Sequence, residues 1–345
     1  MKALEYKQSK KDSAFLQIAN REIETHSENE CLIKVRGCGV CGSDLLKLER
    51  SLVKEGTVLG HEMVGEIYKI SDQLSEKYNL KIGDRIISSH HVPCGICDYC
   101  LNKQESLCKQ FKSTNFNPGA FCEYTILSED HLKYTVRKIS EHVSDLEASF
   151  TEPIACCIKA IKKSKLLEYR GKKQVTIFGL GSIGQIIGRL INHYRQKLNL
   201  DINIDGIDLI EAKREQALEH GFDQCLDKIE DSGESSNFIF LAAGAAPCVD
   251  SAINNISNGG TIVVFSSLAE EFKGFNNNAI YYKELNIMGS YSPNLEDLYE
   301  AHELIEKQEI TCGDLISHKS NLSNLGETIL KARSENGIKV YLDLT

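Results

Sequence analysis

In the first 150 residues the apolar positions fall in short, β-branched runs, CLIKVRGCGV, VGEIYKI and DRIISSH, set apart by Gly, Asp and Ser. Runs of that length and spacing read as strands of a compact β-rich domain. From about residue 152 the texture changes: the apolar runs QVTIFGL, INIDGIDLI, NFIFLAA and GTIVVFS alternate with helical patterns such as GSIGQIIGRLINHYRQKL and EAKREQALEHG. That order predicts βαβ units and a parallel sheet. The change of texture places a domain boundary near Phe150. No internal repeat is visible, and GFNNNA after Lys273 reads as a surface turn.

Composition narrows the class. A chain of 345 residues favours two domains over one, and 41% hydrophobic residues place it with ordinary globular proteins. The formal charge of -9, with both signs interspersed, disfavours a polyanion-binding surface and so a nucleic-acid partner. The N-terminus is charged from its second residue and lacks the apolar core of a secretory signal, and no apolar run matches the span of a bilayer. The expected compartment is therefore the cytoplasm, with no membrane partner. There thiols stay reduced, and the thirteen cysteines read as metal ligands rather than disulfides wherever they cluster.

The strongest cluster is PCGICDYCLNKQESLC, which sets Cys94, Cys97, Cys100 and Cys108 in one tight loop. Four thiolates at this spacing close a tetrahedron around zinc and leave no open position, so the site reads as structural. A zinc deaminase also carries a P-C-x-x-C element, but it needs a nearby H-x-E, and here His61 and Glu62 are adjacent. A second constellation, GCGVCGSD followed by LGHEMVGE, offers Cys41, His61 and Glu62 on Gly-flanked turns. A catalytic zinc needs about three protein ligands of such mixed type and one position free. Glu152, in FTEPIACC, is either a further ligand or a favourable charge at a helix start marked by Pro153. Cys156 and Cys157 on the same segment read as helix-packing residues.

In QVTIFGLGSIGQIIGRL the residues Gly179, Gly181, Ser182, Ile183 and Gly184 form a G-x-G-x-x-G turn after a strand and at the opening of a helix. This is the context in which backbone N–H groups at a helix N-terminus receive a pyrophosphate. Asp208, at the end of the next strand, is placed to accept hydrogen bonds from the adenosine ribose and to repel a 2′-phosphate, which favours NAD over NADP. Its separation from the glycines is longer than usual, and an inserted turn at RQKLNLD accounts for that.

In their order along nearly the whole chain, from GCGVCGSD through LGHEMVGE, KIGDRI, the four-Cys loop, TEPIACC and GLGSIG to KELNIMGSYS and GIKVYLDL, these motifs are similar to those of the zinc-dependent medium-chain dehydrogenase/reductase family. The likeness is to its sorbitol, threonine and sugar-alcohol dehydrogenase branch. The resemblance implies an α/β chain: a GroES-like β-rich catalytic domain over 1–152 and 290–345, a Rossmann NAD-binding domain with a doubly wound parallel sheet over 153–289, and a cleft between them holding zinc and nicotinamide. It implies that Cys41 and His61 are catalytic zinc ligands, that Glu62 is a ligand or near neighbour, that Glu152 is a direct or water-mediated one, and that the Ser43 hydroxyl relays the substrate proton.

One departure from the branch is Leu46, where a His often stands two residues after the Asp of CGSD. The implied activity is hydride transfer between a small-molecule secondary alcohol and NAD, the alcohol being a polyol, a sugar alcohol or its phosphate, with two zinc ions per chain. Threonine- or aminocyclitol-type substrates are the nearest alternatives. A zinc-independent NADPH quinone or enone reductase on the same fold is a further one, which the metal-ligating residues and Asp208 oppose. A sensor that binds NAD and zinc without turnover is the rival from another class. The segment NIMGSYS implies pairing across a dimer axis, hence a homodimer or homotetramer.

Overall fold

The computed structural model describes residues 1–8, 14–23, 27–267 and 276–345. It divides into two compact units, Met1–Glu152 with Asn294–Thr345, and Pro153–Pro293. Among the described residues no helix is long and apolar enough to cross a membrane.

The first unit is built on a seven-stranded sheet. Glu30–Gly39 is its organising strand. It pairs antiparallel with Glu62–Lys69, with Tyr124–Ser128 and, near its end, with Lys339–Asp343 from the last residues of the chain, in the register Leu342 to Cys38. A separate ribbon joins Lys2–Gln8 to Ala14–Asn20. The runs read as strands do form strands, and their buried positions, among them Ile33, Val35, Met63, Ile67 and Ile86, enter one core with Phe121 and Leu325. Each such side chain contributes on the order of 1.5–3 kcal/mol by leaving water.

The second unit is a six-stranded parallel sheet. Its spatial order runs from Gln224–Leu226 through Ile202–Ile207, Lys173–Phe178, Ser236–Leu241 and Ile256–Val264 to Asn286–Gly289. Chain order reverses on either side of Lys173–Phe178, which makes the C-terminal end of that strand the switch point where doubly wound sheets bind ligands. Every residue of that strand is buried, as expected of a strand covered on both faces.

Two local expectations need correction. The long interval before Asp208 does not come from an inserted turn at RQKLNLD, because Arg195–Lys197 continue the helix Ser182–Lys197 and only 198–201 form the turn. Nor is GFNNNA simply a turn: residues 274 and 275 lie outside the described residues, while Asn276 accepts the amide of Ala279 and caps a helix over Asn277–Tyr282.

Candidate functional site

The four-Cys loop gathers its ligands by local geometry. Cys97 precedes the short helix Asp98–Leu101, and Cys108 precedes Lys109–Ser113. All four thiols are free, with Cys94 and Cys97 Sγ at 3.9 and 3.6 Å from Cys100 Sγ. A tetrahedron with zinc–sulfur bonds of about 2.3 Å has edges of roughly 3.8 Å. Both separations are close to such an edge, and all four sulfurs lie within 4.8 Å of one another. Burial raises the Cys108 thiol, but hydrogen bonds from the Phe111 and Cys94 backbone outweigh it and leave the thiol at about 6; burial pushes Cys100 up to about 12. Phe111 packs with Cys100 and Cys108 in one small buried cluster.

The second group assembles at the mouth of the large sheet. Cys41 ends the run from strand Glu30–Gly39 and caps the helix Gly42–Glu49, with its Sγ 3.5 Å from the amide of Ser43. His61 and Glu62 lie at the start of the partner strand, and Glu62 belongs to the strand itself rather than to a turn. Gly60 just before them has φ +91°, and a Cβ there would strike the Phe121 ring at 2.5 Å, so only glycine makes this approach. One ligand atom from each of Cys41, His61 and Glu62 falls within 4.8 Å of the others.

Two residues not singled out from the sequence organise this trio. Asp44 is fully buried, and its Oδ1 faces His61 Nδ1 at 3.3 Å, which leaves Nε2 for a metal. A carboxylate behind a ligating imidazole fixes the ring and raises its basicity. Burial alone would lower the His61 pKa, but Asp44 and Cys41 outweigh it and hold the imidazole well above its usual range. The potential here favours a cation. Lys339, from the strand that closes the chain, puts Nζ 2.6 Å from Glu62 Oε2, with 2% and 1% of the two side chains exposed. Gly39 explains how the pair fits: a Cβ at that position would lie 2.0 Å from Glu62 Oε2 and 3.0 Å from Lys339 Cε.

The remaining expected residues are placed as follows. Ser43 is exposed on the first turn of the Gly42–Glu49 helix. Glu152 lies in the first turn of the helix Thr151–Ser164; it stands outside the Cys41 trio and lines a small pocket with Glu62, Met63 and Ser88. Cys157 is buried in the same helix.

In the second unit, Gly179 has φ +88°, and a Cβ on Gly184 would lie 1.8 Å from the Gly179 carbonyl oxygen, so strand and helix touch there. A Cβ on Gly181 would meet nothing within 4 Å. That open ground beside the N-terminus of Ser182–Lys197, with Ser182 and Ile183 in its first turn, suits a pyrophosphate. Asp208 accepts the amides of Leu180 at 2.8 Å and Ile210 at 2.9 Å, one on each oxygen, and keeps further lone pairs for hydroxyl donors.

Comparison with known proteins places this geometry. Residues 27–137 match the alcohol dehydrogenase GroES-like domain, and residues 197–307 match the zinc-binding dehydrogenase family. The chain is 27% identical to D-arabitol-phosphate dehydrogenase of Enterococcus avium over 92% of its own length and 90% of that protein's. It is 26% identical to sorbitol dehydrogenase of Halalkalibacterium halodurans, covering 92% of each. An alcohol dehydrogenase of Escherichia coli, solved with NADH, shares the fold at a TM-score of 0.83 and 24% identity, over 100% of this chain and 99% of that one.

Proposed function

The chain belongs to the zinc-dependent medium-chain dehydrogenase family, and from that premise we propose that this oxidoreductase moves a hydride between a polyol, a sugar alcohol or its phosphate, and NAD. The observation that carries the reading is the convergence of Cys41, His61 and Glu62, three ligands of mixed type, with Asp44 behind the imidazole. Such a donor set suits an open zinc site, whose contribution is Lewis acidity toward the alcohol oxygen. Glu62 rather than Glu152 is the carboxylate assigned to the metal, because it stands in the trio. Cys94, Cys97, Cys100 and Cys108 hold the second, structural zinc.

In this reading Asp44 keeps His61 oriented, and the Ser43 hydroxyl carries the alcohol proton toward solvent. Gly179, Gly181, Ser182, Ile183 and Gly184 seat the pyrophosphate, so that the second unit supplies orientation rather than chemistry. The Asp208 carboxylate accepts the ribose hydroxyls and disfavours a 2′-phosphate, which selects NAD. The polyol class is supported by the arabitol-phosphate and sorbitol dehydrogenases among the relatives. We place the enzyme in the cytoplasm as a homodimer or homotetramer. The strand Asn286–Gly289 ends its sheet, with one edge unpaired among the described residues, and is the edge a second copy would extend.

Elemental analysis for zinc together with an NAD-reduction screen over polyols, polyol phosphates and simple secondary alcohols tests the proposal. Two zinc ions per chain and turnover of one polyol class are expected. One zinc and no turnover on any alcohol would remove the Cys41 centre. Light scattering on the eluted protein tests the assembly, and a clean monomer refutes the edge pairing.

A further inference from the structure

The six-stranded sheet of the second unit has two ends, and the glycine turn uses only one of them. At the other end, where the strands begin, Asn237, Asn258 and Asn286 stand within the first three positions of Ser236–Leu241, Ile256–Val264 and Asn286–Gly289. Together with the last residues of the helix Thr151–Ser164 and those just after it, they line a cavity of about 470 Å³. That volume lies in the range of small-molecule sites. A strand of six residues such as Lys173–Phe178 spans roughly 20 Å, so this cavity and the Gly179 turn at its far end are separate places.

Several polar groups of the lining are left over from the fold. Thr261 is only 8% exposed, and its hydroxyl has no hydrogen-bond partner among the described residues. Asn237 accepts the Gln174 amide at 2.8 Å through Oδ1, which fixes the side chain and leaves its Nδ2 donors without a partner among the same residues. Lys163 Nζ donates to the Gly289 carbonyl at 2.6 Å, so the ammonium is held in place with further protons to give. Lys165 makes no ion pair among the described residues, although Glu168 also lines the cavity. A buried polar group without a partner calls for an explanation, and a ligand beside it supplies one.

Charge points to the kind of ligand. The chain carries a net -9, yet residues 159–173 hold seven Lys and Arg against one acidic residue, Glu168. Lys159 is occupied by the Tyr291 carbonyl at 3.2 Å and Lys172 by Glu234 at 3.2 Å, whereas Lys163 and Lys165 line the cavity. A carboxylate is satisfied by few donors. A phosphate monoester offers three terminal oxygens, and here it meets two ammonium groups, an amide and a hydroxyl. Asn258, Asn286 and Glu168 then remain for hydroxyls, as donors, acceptors or both. We propose that this cavity is a second small-molecule site, sharing no residue with the Cys41 group or the glycine turn, and that it binds a phosphate monoester of a polyhydroxylated carbon chain. Lys163, Lys165, Asn237 and Thr261 hold the phosphate, and the other two asparagines hold the carrier. The site stands whether or not the chain is a dehydrogenase.

Isothermal titration calorimetry of the zinc-loaded full chain with glycerol 3-phosphate, inorganic phosphate and glycerol, each with and without saturating NADH, tests the site. Glycerol 3-phosphate should bind equally well in both conditions and about fivefold more tightly than inorganic phosphate, while glycerol gives no heat. Lys165→Gln should weaken that binding by about tenfold or more and Thr261→Val by about fivefold. Lys319→Gln, which alters an exposed lysine of the other unit, should leave it unchanged. Absence of binding, or its loss once NADH fills the glycine turn, would overturn the proposal. So would full affinity in both Lys165→Gln and Thr261→Val, which would put the ester elsewhere, or an equal loss in Lys319→Gln, which would reduce the effect to general surface charge. Equal affinity for inorganic phosphate and the ester would refute the contacts to the carrier. Should Thr261→Val fail to fold, the exposed Lys165→Gln decides the matter.

Discussion

The two cysteine-bearing centres of the first unit are assembled on opposite principles. In the four-Cys loop every candidate ligand lies within 94–108, and neighbouring backbone N–H groups bias Cys94 and Cys108 toward thiolate. In the Cys41 group the candidate ligands come from the ends of two paired strands, an orienting carboxylate comes from the helix between them, and the countercharge to Glu62 comes from Lys339, 277 positions away in the chain. The first centre is a property of a loop. The second is a property of the fold, and it is built with buried charges whose removal singly is costly.

That contrast can be broken at four points. Replacing Cys41 by Ala should lower kcat/KM by about a thousandfold, the several kcal/mol a Lewis-acid centre supplies, with loss of one zinc and retention of the other; steady-state kinetics with elemental analysis reads both. In the zinc-stripped protein Lys339→Met leaves the Glu62 carboxylate buried without a cation. It should cost about 3–5 kcal/mol in denaturant unfolding, and the double variant with Glu62→Gln should recover most of that. A harmless Lys339→Met would mean that the second centre does not depend on the distant strand.

Asp44→Asn keeps the shape behind His61 but removes the charge. Zinc affinity at that centre should fall by about 10–100-fold in competition with a chelator, while the four-Cys zinc is held as before. Last, Cys100→Ser should empty the four-Cys loop and expose it to limited proteolysis near 94–113. Because the loop is a local unit, kcat/KM should change by less than about tenfold. A collapse of activity comparable to that of Cys41→Ala would show that the loop governs the other centre, through the contact of Phe111 with His91.

The motifs made of adjacent residues were legible in the sequence. The four-Cys spacing and the G-x-G-x-x-G turn each describe a few residues whose geometry is local, and the structure places their sulfurs and glycines together. Glu62 and Glu152 were both candidates as carboxylate ligands, and spacing could not rank them; the packing separates them by putting Glu62 with Cys41 and Glu152 across a small pocket. Asp44 was visible in CGSD but carried no mark of its role, which is set by the fold of His61 against it. Lys339 sits in the quoted GIKVYLDL and gave no signal at all, since only the register of Lys339–Asp343 against Glu30–Gly39 brings it to Glu62.

The glycines show the same division. In the sequence Gly39 and Gly60 stand only as flanking glycines of GCGVCGSD and LGHEMVGE. What approaches Gly39, a buried Glu62–Lys339 ion pair, is a matter of strand pairing. By itself, then, the sequence determined the residue types of the two clusters, the glycine turn and the alternation of strands and helices, because these depend on chemistry and periodicity within short windows. Tertiary structure alone decided which carboxylate joins Cys41 and His61 and which charges stand behind them. Those choices follow from desolvation and contact between distant segments, and no local window contains them.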